Sequence, residues 1–249
     1  MTTIFDAARL AKRPDAVLFD TDNTLYPYDP ANAAAVAAVV AKATQMFAMS
    51  ADQVKAALDQ ARKEIKHRLK ETASSHSRLL YFQRMLELLG LGSQVLLALD
   101  LEQTYWRTFL SNAVLFEGLK EFLDELRLEG IPTAIVTDLT AQIQFRKIVY
   151  FGLDHYFDYI VTSEEAGFDK PHAAPFLIAV EKMRPKGDNI WMIGDNPVND
   201  IGGARTAINA VTIQKIHDDL KVGEGPYRPD CAVQTFAQLS SVFKQCLRS

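Results

Sequence analysis

Asp20 and Asp22, one residue apart, with the Thr24 hydroxyl just beyond them, are the side chains best placed to do chemistry. Two carboxylates this close repel each other. They call for a cation, or for a division of roles in which one is protonated. Three more polar clusters follow along the chain: Thr137-Asp138, Asp169-Lys170-Pro171, and Gly194-Asp195 with Asp200. Acids, a hydroxyl and a lysine in one place suit phosphoryl transfer. Carboxylate oxygens attract Mg²⁺, a hard ion, and the metal lets a dianionic phosphate approach. Lysine and hydroxyl donors hold phosphate oxygens. One Asp can attack phosphorus while its neighbour handles the leaving-group proton.

The elements before each cluster explain why they meet. Ala16-Val17-Leu18-Phe19 is a short continuous apolar run, the pattern of a strand buried on both faces. Thr133 to Val136, Tyr159 to Val161, Ile190 to Ile193 and Ala210 to Ile213 also read as strands, and Cys231 to Val233 is a weaker candidate. Between them lie helical stretches: Leu119 to Leu128, Gln142 to Tyr150, Ala174 to Met183, Asp200 to Thr206 and Phe236 to Leu247. Alternation of this kind predicts an α/β fold, a Rossmann-like parallel sheet with helices on both faces. In such sheets ligands bind beyond the carboxyl ends of the strands, which is where every polar cluster falls.

From Pro30 to about Asn112 the pattern is helical throughout. Ser50 with Gln53 forms a capping box, Ser75 or Ser77 opens a third helix that ends near Gly90, and Ser93 opens a fourth. A bundle of about four helices thus interrupts the α/β core after its first strand. The expected domains are a core of residues 1–26 and 113–249 and a helical cap of 27–112. Residues 4 to 12 read as one further short helix.

The totals narrow the function classes. The 249 residues are 48% hydrophobic with net charge −4, which offers no basic field for nucleic acid. The N-terminus has no signal-peptide core, and the richest apolar run, Ala33 to Val40, is too short for a membrane span. Two cysteines, Cys231 and Cys246, in a chain this long suggest a reducing compartment, so a cytoplasmic protein without membrane or nucleic-acid partners is expected. The sequence carries no signal for an oligomeric state.

Asp20-Thr21-Asp22-Asn23-Thr24-Leu25, Thr137, Lys170 before Pro171, and Gly194-Asp195 with Asp200 resemble, in order, the four motifs of the haloacid-dehalogenase-like hydrolase superfamily. The helical insertion is similar to its type I cap. The resemblance implies that Asp20 is nucleophile and metal ligand. It makes Asp22 general acid and base, ligating metal through its backbone carbonyl. Asp195 is then the second carboxylate ligand, with Asp200 supporting through water or Lys170, while Thr137 and Lys170 hold phosphate. The implied activity is Mg²⁺-dependent hydrolysis of a small-molecule phosphate monoester. Nucleotides, sugar phosphates and phosphoglycolate-like acids are the candidate classes by analogy. Asp138 departs from the family's frequent Asn: its N–H still suits phosphate, whereas its carboxylate must point away or meet a substrate cation.

Competing readings exist for each feature. The acidic pair is no EF-hand, because Leu25 and Ala31 stand where that loop needs Gly and Glu. Thr137 alone reads as a strand-end hydroxyl, Lys170 as a solvated lysine, and Asp200 as the N-cap of the helix after it. The five histidines lack metal-ligand spacing. The basic stretch Lys66 to Lys70, with His76, Arg78 and Arg84, reads first as a solvated face. A minority reading has His76 or Arg78 grip an anionic leaving group. Tyr26 and Tyr81 suit packing better than a site. Alternatives for the whole chain are a phosphomutase or a haloacid dehalogenase on the same fold, or a signalling module phosphorylated on Asp and not turned over.

Overall fold

The computed structural model describes residues 2–217 and 220–248. Seven strands form one sheet: β1 (Thr3–Ile4), β2 (Ala16–Phe19), β3 (Thr133–Thr137), β4 (Tyr159–Thr162), β5 (Ile190–Gly194), β6 (Val211–Lys215) and β7 (Cys231–Val233). Their order is β1-β7-β6-β5-β2-β3-β4. All pairings are parallel except β1 with β7, which is antiparallel. The strand β2 is central, with Phe19 opposite Ile135 on one side and Ile193 on the other. The ends of β2, β3 and β5 are therefore level, and the residues after them emerge side by side.

The backbone separates into two compact units, Met1–Pro27 with Val114–Ser249, and Tyr28–Ala113. The second unit consists of α1 (Tyr28–Phe47), α2 (Ala51–Leu69), α3 (Arg78–Leu88) and α4 (Val95–Asn112), with a 3₁₀ turn at Ala73–His76 before α3. Ala31, Ala35, Val39 and Ala43 fall four apart on the buried stripe of α1, and their small side chains let α4 pack close. The Ser50–Gln53 capping box opens α2, with the Gln53 N–H donating to Ser50 Oγ at 3.2 Å and the Ser50 N–H to Gln53 Oε1 at 3.0 Å. Ser77, not Ser75, caps α3, and Gln94 rather than Ser93 precedes α4. Tyr105, Trp106 and Phe109 from α4 and Phe82 from α3 form its aromatic core.

The sheet unit adds α5 (Leu119–Leu128), α6 (Ala141–Tyr150), the single turn α7 (Ser163–Ala166), α8 (Ala173–Met183), α9 (Gly203–Ile208) and α10 (Phe236–Cys246). Alternation along the buried strands divides the core. Ala16, Leu18, Val136 and Met192 pack with Phe176 and Ala179 of α8. On the other face Phe19 meets Phe122 of α5 edge-on at 6.2 Å, and Trp191 meets Phe243 of α10 at 6.3 Å. Among the described residues no single helix is long and apolar enough to cross a membrane.

Two expectations are corrected here. Residues 4 to 12 are not a helix. Thr3 and Ile4 pair with Ala232 and Cys231 as an edge strand, the Phe5 N–H donates to the Asp230 carbonyl at 2.8 Å, and Asp6 then accepts from the Ala8 and Arg9 N–H groups in a turn. Nor does a helix begin at Asp200. A wide π-type turn spans Pro197–Gly202 before α9, and its cap is Asn196, whose side chain accepts from Val198 and Asn199.

Candidate active site

Lys170 is the centre of the site. Its side chain is 2% exposed, and its ammonium donates to Asp20 Oδ1 at 2.7 Å, Asp200 Oδ1 at 2.6 Å and the Val136 carbonyl at 3.0 Å. Asp20 leaves the end of β2, Val136 lies in β3, and Asp200 lies in the turn after β5. One cation thus ties three strand ends together. The Thr24 hydroxyl donates to Asp20 Oδ2 at 3.1 Å, so each Asp20 oxygen has its own donor and the carboxylate rotamer is set. Carboxylate oxygens of Asp20, Asp195 and Asp200 lie within 4.8 Å of one another.

Gly194 makes this convergence possible. A Cβ there would stand 2.4 Å from the Asp200 carboxyl carbon, so only glycine lets Asp200 fold back under β5. Asp200 Oδ2 accepts from the Asn196 N–H at 2.9 Å. Its carboxylate therefore braces the turn and Lys170 together and caps no helix.

The charges do not balance: three carboxylates face one ammonium. Burial, then Asp20 and Asp200, push the Asp195 carboxyl up to about 8. Burial, then Asp200 and Asp22, raise Asp20 to about 6 against the opposing pull of Lys170. Burial works against the Lys170 ammonium, yet Asp20, Asp200 and Asp138 hold its pKa well above the ordinary value. A crowded, oxygen-only donor set with surplus negative charge fits a hard divalent cation such as Mg²⁺.

Thr137 ends β3 with a fully used hydroxyl. It shares a 2.7 Å hydrogen bond with Thr21 and accepts from Gln144 Nε2 at 2.8 Å. The Asp138 carboxylate accepts from the Lys170 backbone N–H at 2.9 Å, so it holds the lysine loop. Burial raises the Asp138 carboxyl to about 6. The Asp22 carboxylate accepts from Lys147 at 2.8 and 3.2 Å and from the Tyr26 hydroxyl.

Lys147 and Gln144 escaped the sequence reading. Both lie on α6, three residues apart, on the buried face shared with Ile143 and Ile148. Two polar side chains on an apolar helical stripe were the available signal, since such groups need buried partners. Thr21 was passed over because it stands between the two aspartates. Of the histidines, His172 caps α8 by accepting from the Ala174 N–H at 3.1 Å, and it stacks on Phe168 at 4.1 Å. Tyr81 serves the helical unit, donating to the Ser75 carbonyl at 2.5 Å.

The family model for haloacid dehalogenase-like hydrolases matches residues 14–207. The ribulose-1,5-bisphosphate 5-phosphatase of Halopiger xanaduensis is 38% identical over 202 residues, covering 81% of this chain and 83% of that protein. A glyceraldehyde 3-phosphate phosphatase of Methanopyrus kandleri is 29% identical over 194 residues, covering 77% and 80%. The structure of a 2-haloacid dehalogenase from Pseudomonas syringae superposes with TM-score 0.70 at 23% identity, covering 92% of this chain and 98% of that one, a likeness of fold. With its motif residues meeting at one sheet edge and most of its length matched, the chain belongs to the haloacid dehalogenase-like hydrolase family.

Proposed function

We propose that this enzyme hydrolyses a small-molecule phosphate monoester with Mg²⁺, through an aspartyl-phosphate on Asp20. The observation that carries the reading is the bridge from Lys170 to Asp20 and Asp200 beside Asp195. The phosphatases among its relatives support the same reaction class. Asp20, Asp195 and Asp200 would hold the metal, Asp200 at second remove, with the Asp22 backbone carbonyl as a further ligand. When bound, Mg²⁺ neutralises carboxylate charge and draws in the phosphate dianion.

The chain's own residues do the rest. Lys170 and Thr24 orient the Asp20 carboxylate, one oxygen of which attacks phosphorus as the ester P–O bond breaks. Lys170, by giving up its bond to the Val136 carbonyl, Thr137, by giving up its bond to Thr21, and the Asp138 N–H would hold the non-bridging phosphate oxygens. In the ester complex Asp22, protonated and with its contact to Lys147 loosened, would give its proton to the departing alkoxide, then take one from the water that attacks phosphorus and releases Asp20. Lys147 and Tyr26 hold Asp22 in reach of that exchange. A halide needs no proton on departure, so an Asp22 held in this way favours an oxygen leaving group over dehalogenation. Buried, unbridged Cys231 and Cys246 support a reducing, cytoplasmic setting.

The test is turnover of p-nitrophenyl phosphate. Activity should require Mg²⁺, stop with EDTA, and fall by ~10⁴-fold or more in Asp20→Asn, the loss expected for a nucleophile. Turnover that survives EDTA or Asp20→Asn would overturn the assignment.

A further inference from the structure

Gln144 projects from α6 towards the end of β3 and is fully buried. Its Nε2 donates to the Asp138 carbonyl and to Thr137 Oγ1, each at 2.8 Å. A backbone carbonyl only accepts, so the nitrogen of the carboxamide, and not its oxygen, must stand at these two partners. Both Nε2 protons are thereby used, and the Thr137 oxygen is cast as an acceptor from Gln144. The anchor for this arrangement is rigid. The peptide that carries the Asp138 carbonyl is also held through the Leu139 N–H, which donates to Ser163 Oγ at 2.9 Å.

The consequence falls on the Thr137 proton. A hydroxyl has one proton and two lone pairs. With one lone pair committed to Gln144, the proton of Thr137 is left to be given. At rest its acceptors are Thr21 Oγ1 at 2.7 Å and, much more weakly, the Asp138 carbonyl at 3.4 Å. When the bond to Thr21 is given up, this proton is the one that a phosphate oxygen can take. Packing does not account for Gln144. Its Oε1 is buried with no hydrogen-bond partner among the described residues, an unfavourable state for a carbonyl oxygen. An apolar side chain of the same length would fill the stripe beside Ile143 and Ile148 without that penalty.

We propose that Gln144 is a positioning residue that sets the direction of the Thr137 hydroxyl, holding it as a donor to the phosphoryl oxygens. The proposal rests on the phosphatase reading and deepens it by one residue, which acts through Thr137 and not on the substrate.

The test is a double-mutant cycle on p-nitrophenyl phosphate with Mg²⁺, using Gln144→Met, Thr137→Val and the two combined. Thr137→Val should raise KM about tenfold, the loss of one hydrogen bond to a charged group. Gln144→Met should raise it about fivefold, because a hydroxyl free to turn donates to phosphate only part of the time. In both variants kcat should change less than KM, as expected when a bond made in the ground state is weakened. The combined variant should match Thr137→Val to within about twofold, since Gln144 then has no hydroxyl to direct. Losses that multiply to about fiftyfold would overturn the proposal, as independent sites do, and so would an unchanged KM in Gln144→Met. If Gln144→Met does not fold, Gln144→Asn, one methylene shorter, replaces it with the same expectation. If neither folds, Gln144 is a residue of the core and the proposal falls. Inorganic phosphate, titrated calorimetrically with Mg²⁺ present, is the second readout, and its Kd should rise by the same factors. A wild type that binds phosphate yet turns over no ester would refute the phosphatase reading, while the cycle on Kd still decides the role of Gln144.

Discussion

Each unit of this protein confines one basic side chain, and the surroundings of the two are opposite. In the sheet unit Lys170 is enclosed by Asp20 and Asp200, with Asp195 adjoining. In the helical unit Arg78 is enclosed by tyrosine and tryptophan rings, and no acid pairs with it among the described residues. The first centre has carboxylate oxygens in excess and attracts cations. The second surrounds its cation with aromatic faces and neutral oxygens. A confined charge therefore shows its task through what is left uncompensated around it, more than through its own identity.

The comparison breaks most severely at Lys170. Lys170→Met leaves crowded buried carboxylates with no counter-charge, and removing one partner of such a pair costs about 3–5 kcal/mol. Urea denaturation should show a loss of that size, together with near-complete loss of turnover. A loss below about 1 kcal/mol would mean that the carboxylates do not depend on the lysine, as for an exposed pair. Lys147 sharpens the same comparison on a smaller scale. Its side chain is 2% exposed and meets an Asp22 that is partly open to solvent. Lys147→Met should lower kcat by about 10- to 100-fold by releasing the proton-transfer residue, with a smaller change in KM. An unchanged kcat would remove Lys147 from the reaction.

Much of the sheet unit was legible because a parallel sheet obeys a simple rule. Apolar runs of four or five residues mark strands buried on both faces, and whatever polar residue follows each run emerges at one edge. Asp20, Thr137 and Asp195 could be grouped on that basis, because β2, β3 and β5 are neighbours in register. The edge strand β1 escaped because two residues carry no period, and its partner Cys231–Ala232 lies more than two hundred residues away. The turn at Asp200 was misread because an Asp ahead of a helix resembles a cap, whereas this one is drawn under Gly194 towards Lys170. Lys147 and Gln144 sit on a helix face that reads as packing until the strand ends beneath it are known. The cage around Arg78 joins α1, α3 and α4, and no local pattern in a charged stretch reports such a meeting.

That the carboxylates crowded beside Lys170 bind a divalent ion is the proposal on which the reading depends, and a thermal melt with and without Mg²⁺ at two pH values tests it most directly. The carboxyls of Asp20 and Asp195 are raised from 3.8 to about 6 and about 8. Groups raised in the folded state add stability below their unfolded pKa and lose it as pH climbs through the folded values. The metal-free protein should therefore melt progressively lower from about pH 5 to about pH 8. Mg²⁺ prefers the ionised carboxylates, so its gain in Tm should be larger at about pH 8 than at about pH 5. An equal gain at both values, or a larger one in acid, would contradict a metal held by these aspartates.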